Sequence, residues 1–288
     1  MSAVAALLAD GLRLHLQHGP IDLVIEAWGD PDEVAAAQAQ ARAVFPSILP
    51  GLCAELPRLR AEVDDVPFAG PVAERMRAAC LALAGEGFLT PMAAVAGAVA
   101  DHVLAHLVAG RRLERAYVND GGDIAFHLAP GARLTCGLVA DVARPALDGG
   151  FVLDHALPAR GIATSGRATK GNGGRSFSLG IADSVTVLAA TAAEADAAAT
   201  VVANAVDLPG HPAVTRRPAC ELEPDSDLGD RPVTVGLGDL TPGEIRAALV
   251  RGRSAATRLM ETGRLVAAVM VLRGAFASVG LDAARHAA

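Results

Sequence analysis

Asp196, Thr200 and Asn204 are spaced four apart in a run that is otherwise mostly alanine and valine. On a helix these oxygen-bearing side chains share one face. A hard cation such as Mg²⁺ takes ligands of this kind and completes its shell with phosphate and water. A solvated polar face, or a threonine bonded back to its own helix, gives the same pattern without a ligand. A second set begins where the apolar run after Gly161 ends in Thr164, Ser165 and Gly166. Arg167, Lys170 and Arg175 follow among glycines and hydroxyl residues, and Lys170 is the only lysine in the chain. Free amides, hydroxyls and cations are what a bound phosphate needs; the alternative is a flexible hairpin loop. A third set is Asn119-Asp120-Gly121-Gly122-Asp123. It reads as a tight turn. Its paired glycines also let a ligand approach the backbone, with carboxylates at hand for a ribose hydroxyl or a metal.

Other chemistries lack their residues. His102 and His106 are four apart, but no H-E-x-x-H surrounds them, so a helix surface or contacts to a partner are the better account. There is no G-x-S-x-G for a nucleophilic serine, no Walker A sequence and no G-x-G-x-x-G. Cys53, Cys80, Cys136 and Cys220 are far apart without C-x-x-C, which excludes a zinc ribbon and reads as four reduced, buried small residues.

The chain has 288 residues, of which 52% are hydrophobic and 3% aromatic, with net charge −7. Such a length can bury roughly 75% of its unfolded surface. The acidic balance argues against nucleic-acid partners and against a polybasic membrane site. No basic segment precedes the first apolar run, which Asp10 interrupts, so a signal peptide is not expected. No stretch reaches the roughly 18 uncharged apolar residues of a membrane span. The expectation is a soluble, cytoplasmic protein.

The elements that must hold these residues are marked by their starts. Asp30-Pro31, Thr90-Pro91, Thr191 with Glu194, and Thr241-Pro242 with Glu244 read as helix caps. Helices are expected over 31–45, 70–84, 91–109, 192–206 and 242–262. Leu12–Gln17 and Ile21–Ala27 read as a hairpin about Gly19-Pro20, and Arg115–Val118 and Asp123–Leu128 as another about Gly121-Gly122. Further strands are expected at Leu134–Val139, Gly161–Ser165, Ser184–Ala189, Val233–Leu237 and Arg264–Arg273. Strand pairs interrupted by helices predict an α+β fold with largely antiparallel sheets flanked by helices. We expect one domain over 1–288, with a surface connection at about 208–232. An alanine-rich helix such as 91–109 could fill the core or pack across a homodimer.

Together the segments resemble the ApbE superfamily, the FAD:protein FMN transferases. Ala93-Ala94-Val95-Ala96-Gly97-Ala98-Val99-Ala100-Asp101 is similar to the family's G-I-A-K-G-x-x-x-D. Asn119 to Ile124 resembles its N-x-G-G-D-I, and Ala163-Thr164-Ser165-Gly166 its A-T-S-G. Ser184-Val185-Thr186-Val187 and then Ala195-Asp196 to Thr200 resemble S-V-T-V and A-D-A-x-x-T, in the family's order. Leu12–Glu26 and Ser176–Asp183 look closer to an uncharacterised branch of the superfamily, a UPF family, so the resemblance covers most of the chain.

The resemblance implies FAD and Mg²⁺ as cofactors. Asp196 and Thr200 are the implied metal ligands, with a backbone carbonyl near Val95. Asn119, Gly121, Gly122, Asp123, Thr164, Ser165 and Gly166 are implied to line the flavin nucleotide; Arg167, Lys170 and Arg175 are the anion contacts expected from the loop's own composition. Two departures stand out. Ala96 replaces the motif lysine, and Phe177–Asp183 replaces an H-I-I-D-P-x-T-G loop without its histidine or proline. No lipoprotein cysteine precedes the domain. If the chain is catalytic, the expected activity is transfer or cleavage at the FAD pyrophosphate, and a transferase takes a protein acceptor. The alternatives are a non-catalytic nucleotide-binding protein, or an enzyme of another cofactor pathway, such as pterin or one-carbon metabolism, with the pocket repurposed.

Overall fold

The computed structural model describes residues 2–138, 149–166 and 177–281. The chain opens with β1 (Val4–Leu7), β2 (Leu14–His18) and β3 (Ile21–Gly29), followed by α1 (Pro31–Val44), α2 (Ile48–Leu59) and α3 (Pro71–Leu81). Then come α4 (Val95–Val108), β4 (Leu113–Asp120), β5 (Asp123–Leu128), β6 (Arg133–Leu138), β7 (Gly149–Asp154), β8 (Gly161–Ser165) and β9 (Ser184–Ala189). The last part holds α5 (Ala192–Ala205), β10 (Val214–Pro218), β11 (Pro232–Leu237), α6 (Pro242–Glu261), β12 (Ala267–Leu272) and β13 (Ala275–Val279).

Nine strands form one sheet in the order β1-β2-β3-β4-β5-β8-β9-β12-β13. Every neighbouring pair is antiparallel. The fold class is α+β. Side chains alternate across each strand, so the sheet has two different faces. Ala116, Val118, Ala125, Ala163, Val185 and Val187 face the helices. There α4 packs on β4 and β5, and α5 on β8 and β9. Phe126, Leu128, Ile162 and Leu188 face the other way, against Leu134 and Leu153 of the β6–β7 ribbon.

Alanine and glycine make the helix layer thin. Seven of the residues buried by α5 are alanine, so its backbone lies close to its neighbours. A Cβ at Gly161 of β8 would stand 2.2 Å from the backbone of Thr191 and Ala192. A Cβ at Gly97 of α4 would stand 2.2 Å from the Ala192 carbonyl oxygen. The start of α5 is thus wedged between α4 and β8.

Several expectations are corrected. α2 was hidden by Pro50 and Pro57, residues that usually break a helix. The stretch 208–232 is not only a connection, since β10 lies in it and pairs with β11. Thr90 caps no helix; its hydroxyl bonds the Asp227 carboxylate, and a 3₁₀ turn at Pro91–Ala94 leads into α4. Only Cys80 is a buried cysteine; Cys136 and Cys220 are half-buried and Cys53 is exposed, all free. Pro91–Val108 is long and apolar enough to cross a membrane by composition, yet α4 buries much of its length against sheet and helices.

Candidate functional site

β4 and β5 are joined by Gly121 and Gly122, at φ 62° and 112°, conformations that side chains rarely adopt. Asn119 holds the turn by accepting a hydrogen bond from the Gly122 amide at 2.8 Å. Its Oδ1 is thereby engaged in the turn. The register places Asp120 directly opposite Asp123. By strand alternation both belong to the face that carries Val118 and Ala125, beneath α4 and α5. Asp123 Oδ1 accepts the Thr164 amide at 3.1 Å, which ties the turn to β8.

Asp196 enters the same region from the second turn of α5, which also touches β5. Its Oδ2 accepts the Gly97 amide at 3.1 Å, near the start of α4. Burial pushes Asp123 up to about 7. Burial and then the Asp123 charge push Asp120 up to about 8. Asp196 is also held well above the ordinary carboxylate range, by burial first and then by Asp123; the Gly97 amide opposes this. Among the described residues none of the three is in an ion pair with a basic side chain. Burial and mutual repulsion thus disfavour ionisation of all three, and no basic side chain among the described residues offsets that.

Thr200 lies one turn beyond Asp196 and is half-buried. Asn204, the third member of the stripe, accepts the Leu179 amide at 3.0 Å and fixes the segment after Phe177. The same segment is held by Gly180, where a Cβ would meet the Ala203 carbonyl oxygen at 2.1 Å. Ser165 shares the helix-side parity of Ala163, whereas the Thr164 side chain points to the other face and bonds the Thr186 hydroxyl at 2.9 Å. Gly166 has φ 133°, and a Cβ there would lie 2.7 Å from the Asp183 carbonyl oxygen. Arg167, Lys170 and Arg175 lie outside the described residues.

The structure therefore brings Asp123, Asp196 and Thr200 to one side of the sheet, with Ser165 at the end of the neighbouring strand. It engages the Asn119 Oδ1 in the turn and turns the Thr164 hydroxyl to the other face. Asp120 belongs to the Asn119–Asp123 set whose carboxylates the sequence offers to a ribose hydroxyl or a metal, and the structure adds its direct pairing with Asp123. Among the described residues, no three His, Cys, Asp or Glu side chains converge as a metal-ligand set. His102 and His106 pack ring edge to face at 4.8 Å, and burial lowers His102 to about 4. Mg²⁺ is commonly held by one or two carboxylates plus substrate phosphate and water. Asp123 and Asp196 fit that arrangement, because a cation would relieve the charge that burial and mutual repulsion now oppose.

A family model described as AbpE bacteria matches residues 5–278. The UPF0280 protein of Methanothermobacter thermautotrophicus is 39% identical over 140 residues, 49% of this chain and 50% of that one. The UPF0280 protein of Methanobrevibacter smithii is 38% identical over 116 residues, 40% of this chain and 45% of that one. The chain spans about half the length of the curated relatives it matches. Among solved structures, a mutant of the flavin transferase ApbE from Vibrio cholerae is similar at 14% identity, covering 97% of both chains with a TM-score of 0.49. The apo flavinyl transferase ApbE of Pseudomonas stutzeri is 13% identical with a TM-score of 0.47, over 96% of this chain and 93% of that one.

Proposed function

The chain belongs to the family described as AbpE bacteria, and on that premise we propose that it binds FAD with Mg²⁺ and acts at the nucleotide's pyrophosphate. The observation that carries this is the meeting of Asp196 from α5 with Asp123 from the β4–β5 turn, two carboxylates whose ionisation burial opposes. Asp196, Asp123 and the Thr200 hydroxyl would hold the cation. The cation would supply charge neutralisation at the pyrophosphate. Gly121 and Gly122 leave the turn backbone open, with no atom of the described residues beyond their chain neighbours within 4 Å of either absent side chain. Ser165 and Gly166 close the neighbouring strand end, and the cations Arg167, Lys170 and Arg175 follow in sequence to meet phosphate oxygens. A transferase would need a protein acceptor. The described cysteines are all free, which supports a reducing, cytoplasmic setting.

A second reading is nucleotide binding without turnover. Phe177 to Ala182 carries no side chain able to move a proton at neutral pH, and Asp183 spends its carboxylate on the Arg273 amide. Titration with FAD and Mg²⁺, beside Asp196→Ala, tests binding. Flavin fluorescence should change in the parent protein and not in the variant; no change in either overturns both readings. Incubation with FAD and a threonine-containing acceptor separates them. Covalent FMN or released AMP means an enzyme, and saturable binding alone means a carrier. Mass spectrometry of co-purified ligands would expose a different cofactor in the pocket.

A further inference from the structure

α4 and α5 exchange carboxylates. Asp101, in the second turn of α4, accepts hydrogen bonds from the Ala192 amide at 3.0 Å and the Ala193 amide at 2.9 Å, the first two residues of α5. Asp196, in the second turn of α5, accepts the Gly97 amide of α4 in return. The first amides of any helix lack partners within it and carry partial positive charge. Each helix here satisfies them with an acid from the other. Only a glycine permits the approach, since a Cβ at Gly97 would meet the Ala192 carbonyl oxygen.

Thr191 also caps α5, accepting the Glu194 amide at 3.2 Å. That bond lies within α5 and attaches it to nothing else. The Asp101 bonds are different, because they fasten the first turn of α5 to α4. Asp196 stands three residues beyond Ala193, on the same rigid helix. Any shift of that first turn moves its carboxylate relative to Asp123.

We propose that Asp101 is a positioning residue for the cation site: by gripping the Ala192 and Ala193 amides it sets where Asp196 stands relative to Asp123. This rests on the reading that Asp123 and Asp196 hold a divalent cation. Mg²⁺ demands near-octahedral geometry at short distances, so displaced carboxylates lose affinity steeply. Residues that orient ligands without touching the metal commonly change metal affinity about 10–100-fold.

Mn²⁺ is the probe, followed by loss of the free-ion electron paramagnetic resonance signal, on the full chain at a temperature where circular dichroism shows every variant folded. Asp101→Asn should weaken Mn²⁺ binding about tenfold or more. Thr191→Ala, which removes a cap worth about 1 kcal/mol, should leave affinity within about twofold. A metal-free readout accompanies this: Asp101→Asn should shift the Gly97 amide resonance, although the Asp101 carboxylate bonds only the Ala192 and Ala193 amides and not Gly97. If Asp101→Asn does not fold, Asp101→Glu carries the test, since the added methylene displaces the same grip and the same losses are expected. Unchanged Mn²⁺ affinity in the Asp101 variant, or an equal loss in Thr191→Ala, overturns the proposal. Failure of the parent protein to take up Mn²⁺ overturns the cation reading instead. The Gly97 amide then decides alone, and an unmoved resonance ends the positioning claim.

Discussion

Asp120 and Asp123 face each other across the β4–β5 turn, with only Gly121 and Gly122 between them in the chain. Two acids as direct cross-strand partners repel when both are ionised. Asp120 is buried and Asp123 half-buried beneath the helices, so less water screens that repulsion than at an exposed turn. Burial is the larger cause for both, and the neighbouring charge adds to it at Asp120. The turn is therefore costly to the cation-free protein at neutral pH, and that cost can be measured.

Stability of the metal-free protein should fall as pH rises from about 5 to 8. Asp123 at about 7 and Asp120 at about 8 lie above the usual carboxylate value near 4. A group raised on folding favours the fold while protonated and disfavours it once ionised, so this contribution is present at low pH and lost through that window. Glu74 acts oppositely. Its bond from Arg77 lowers it to about 2, so its contribution is lost only in stronger acid. Differential scanning fluorimetry in EDTA should show the melting temperature declining above about pH 5. Excess Mg²⁺ should flatten that decline by supplying the missing positive charge. A melting temperature in EDTA that is level from pH 5 to 8 would contradict the strained acid pair.

On the proposed reading Asp196 both bonds the Gly97 amide and holds the cation, and substitution can separate the two. Asn keeps an oxygen able to accept the Gly97 amide and carries no charge to desolvate. Ala removes both. Asp196→Asn should lose Mn²⁺ binding yet melt no lower than the parent in EDTA at pH 8. Asp196→Ala should lose binding and melt lower, by the about 1–3 kcal/mol of an amide left without its partner. Equal melting of the two variants would show that the Gly97 bond contributes nothing.

Asn204 belongs to the stripe that drew attention in the sequence, but it grips the Leu179 amide. Asn204→Ala should cost about 1–3 kcal/mol by orphaning that amide. Mn²⁺ affinity should be unchanged at temperatures where the variant is folded. A loss of affinity as large as that of Asp196→Asn would place Asn204 among the ligands.

Local signals were legible where one element sufficed to write them. The capping boxes at Thr191 and Thr241 start α5 and α6 as expected. The Gly-Gly hairpin lies where its φ angles require glycine. α2 was missed because its prolines argue against the helix that packing stabilises. β10 was missed because Arg216 and Arg217 read as polar connection, although pairing with β11 makes the stretch a strand. The face of Thr164 was beyond reach, since it depends on which side of β8 the helices cover. The exchange between Asp101 and Asp196 was equally hidden. It joins residues 95 apart (196 − 101), and only the crossing of α4 and α5 brings each acid to the other's first turn.

That crossing makes Gly97 a demanding position near the site. A methyl group there would stand 2.2 Å from the Ala192 carbonyl oxygen and 2.8 Å from the Ala193 amide nitrogen. Both are backbone atoms and cannot rotate away, so the helices must separate. Overpacking of this kind costs about 1–3 kcal/mol. Separation also stretches the Gly97 bond to Asp196 and the Asp101 bonds to α5. Gly97→Ala should therefore lower both the melting temperature and Mn²⁺ affinity. Gly161→Ala meets the same turn of α5 from β8, at 2.2 Å. Because both substitutions push on one element, their stability costs should not add, and a double-mutant cycle by denaturant unfolding should return a coupling of about 0.5 kcal/mol or more. Strict additivity would mean that α5 yields to each neighbour separately and that the wedge between α4 and β8 is not rigid.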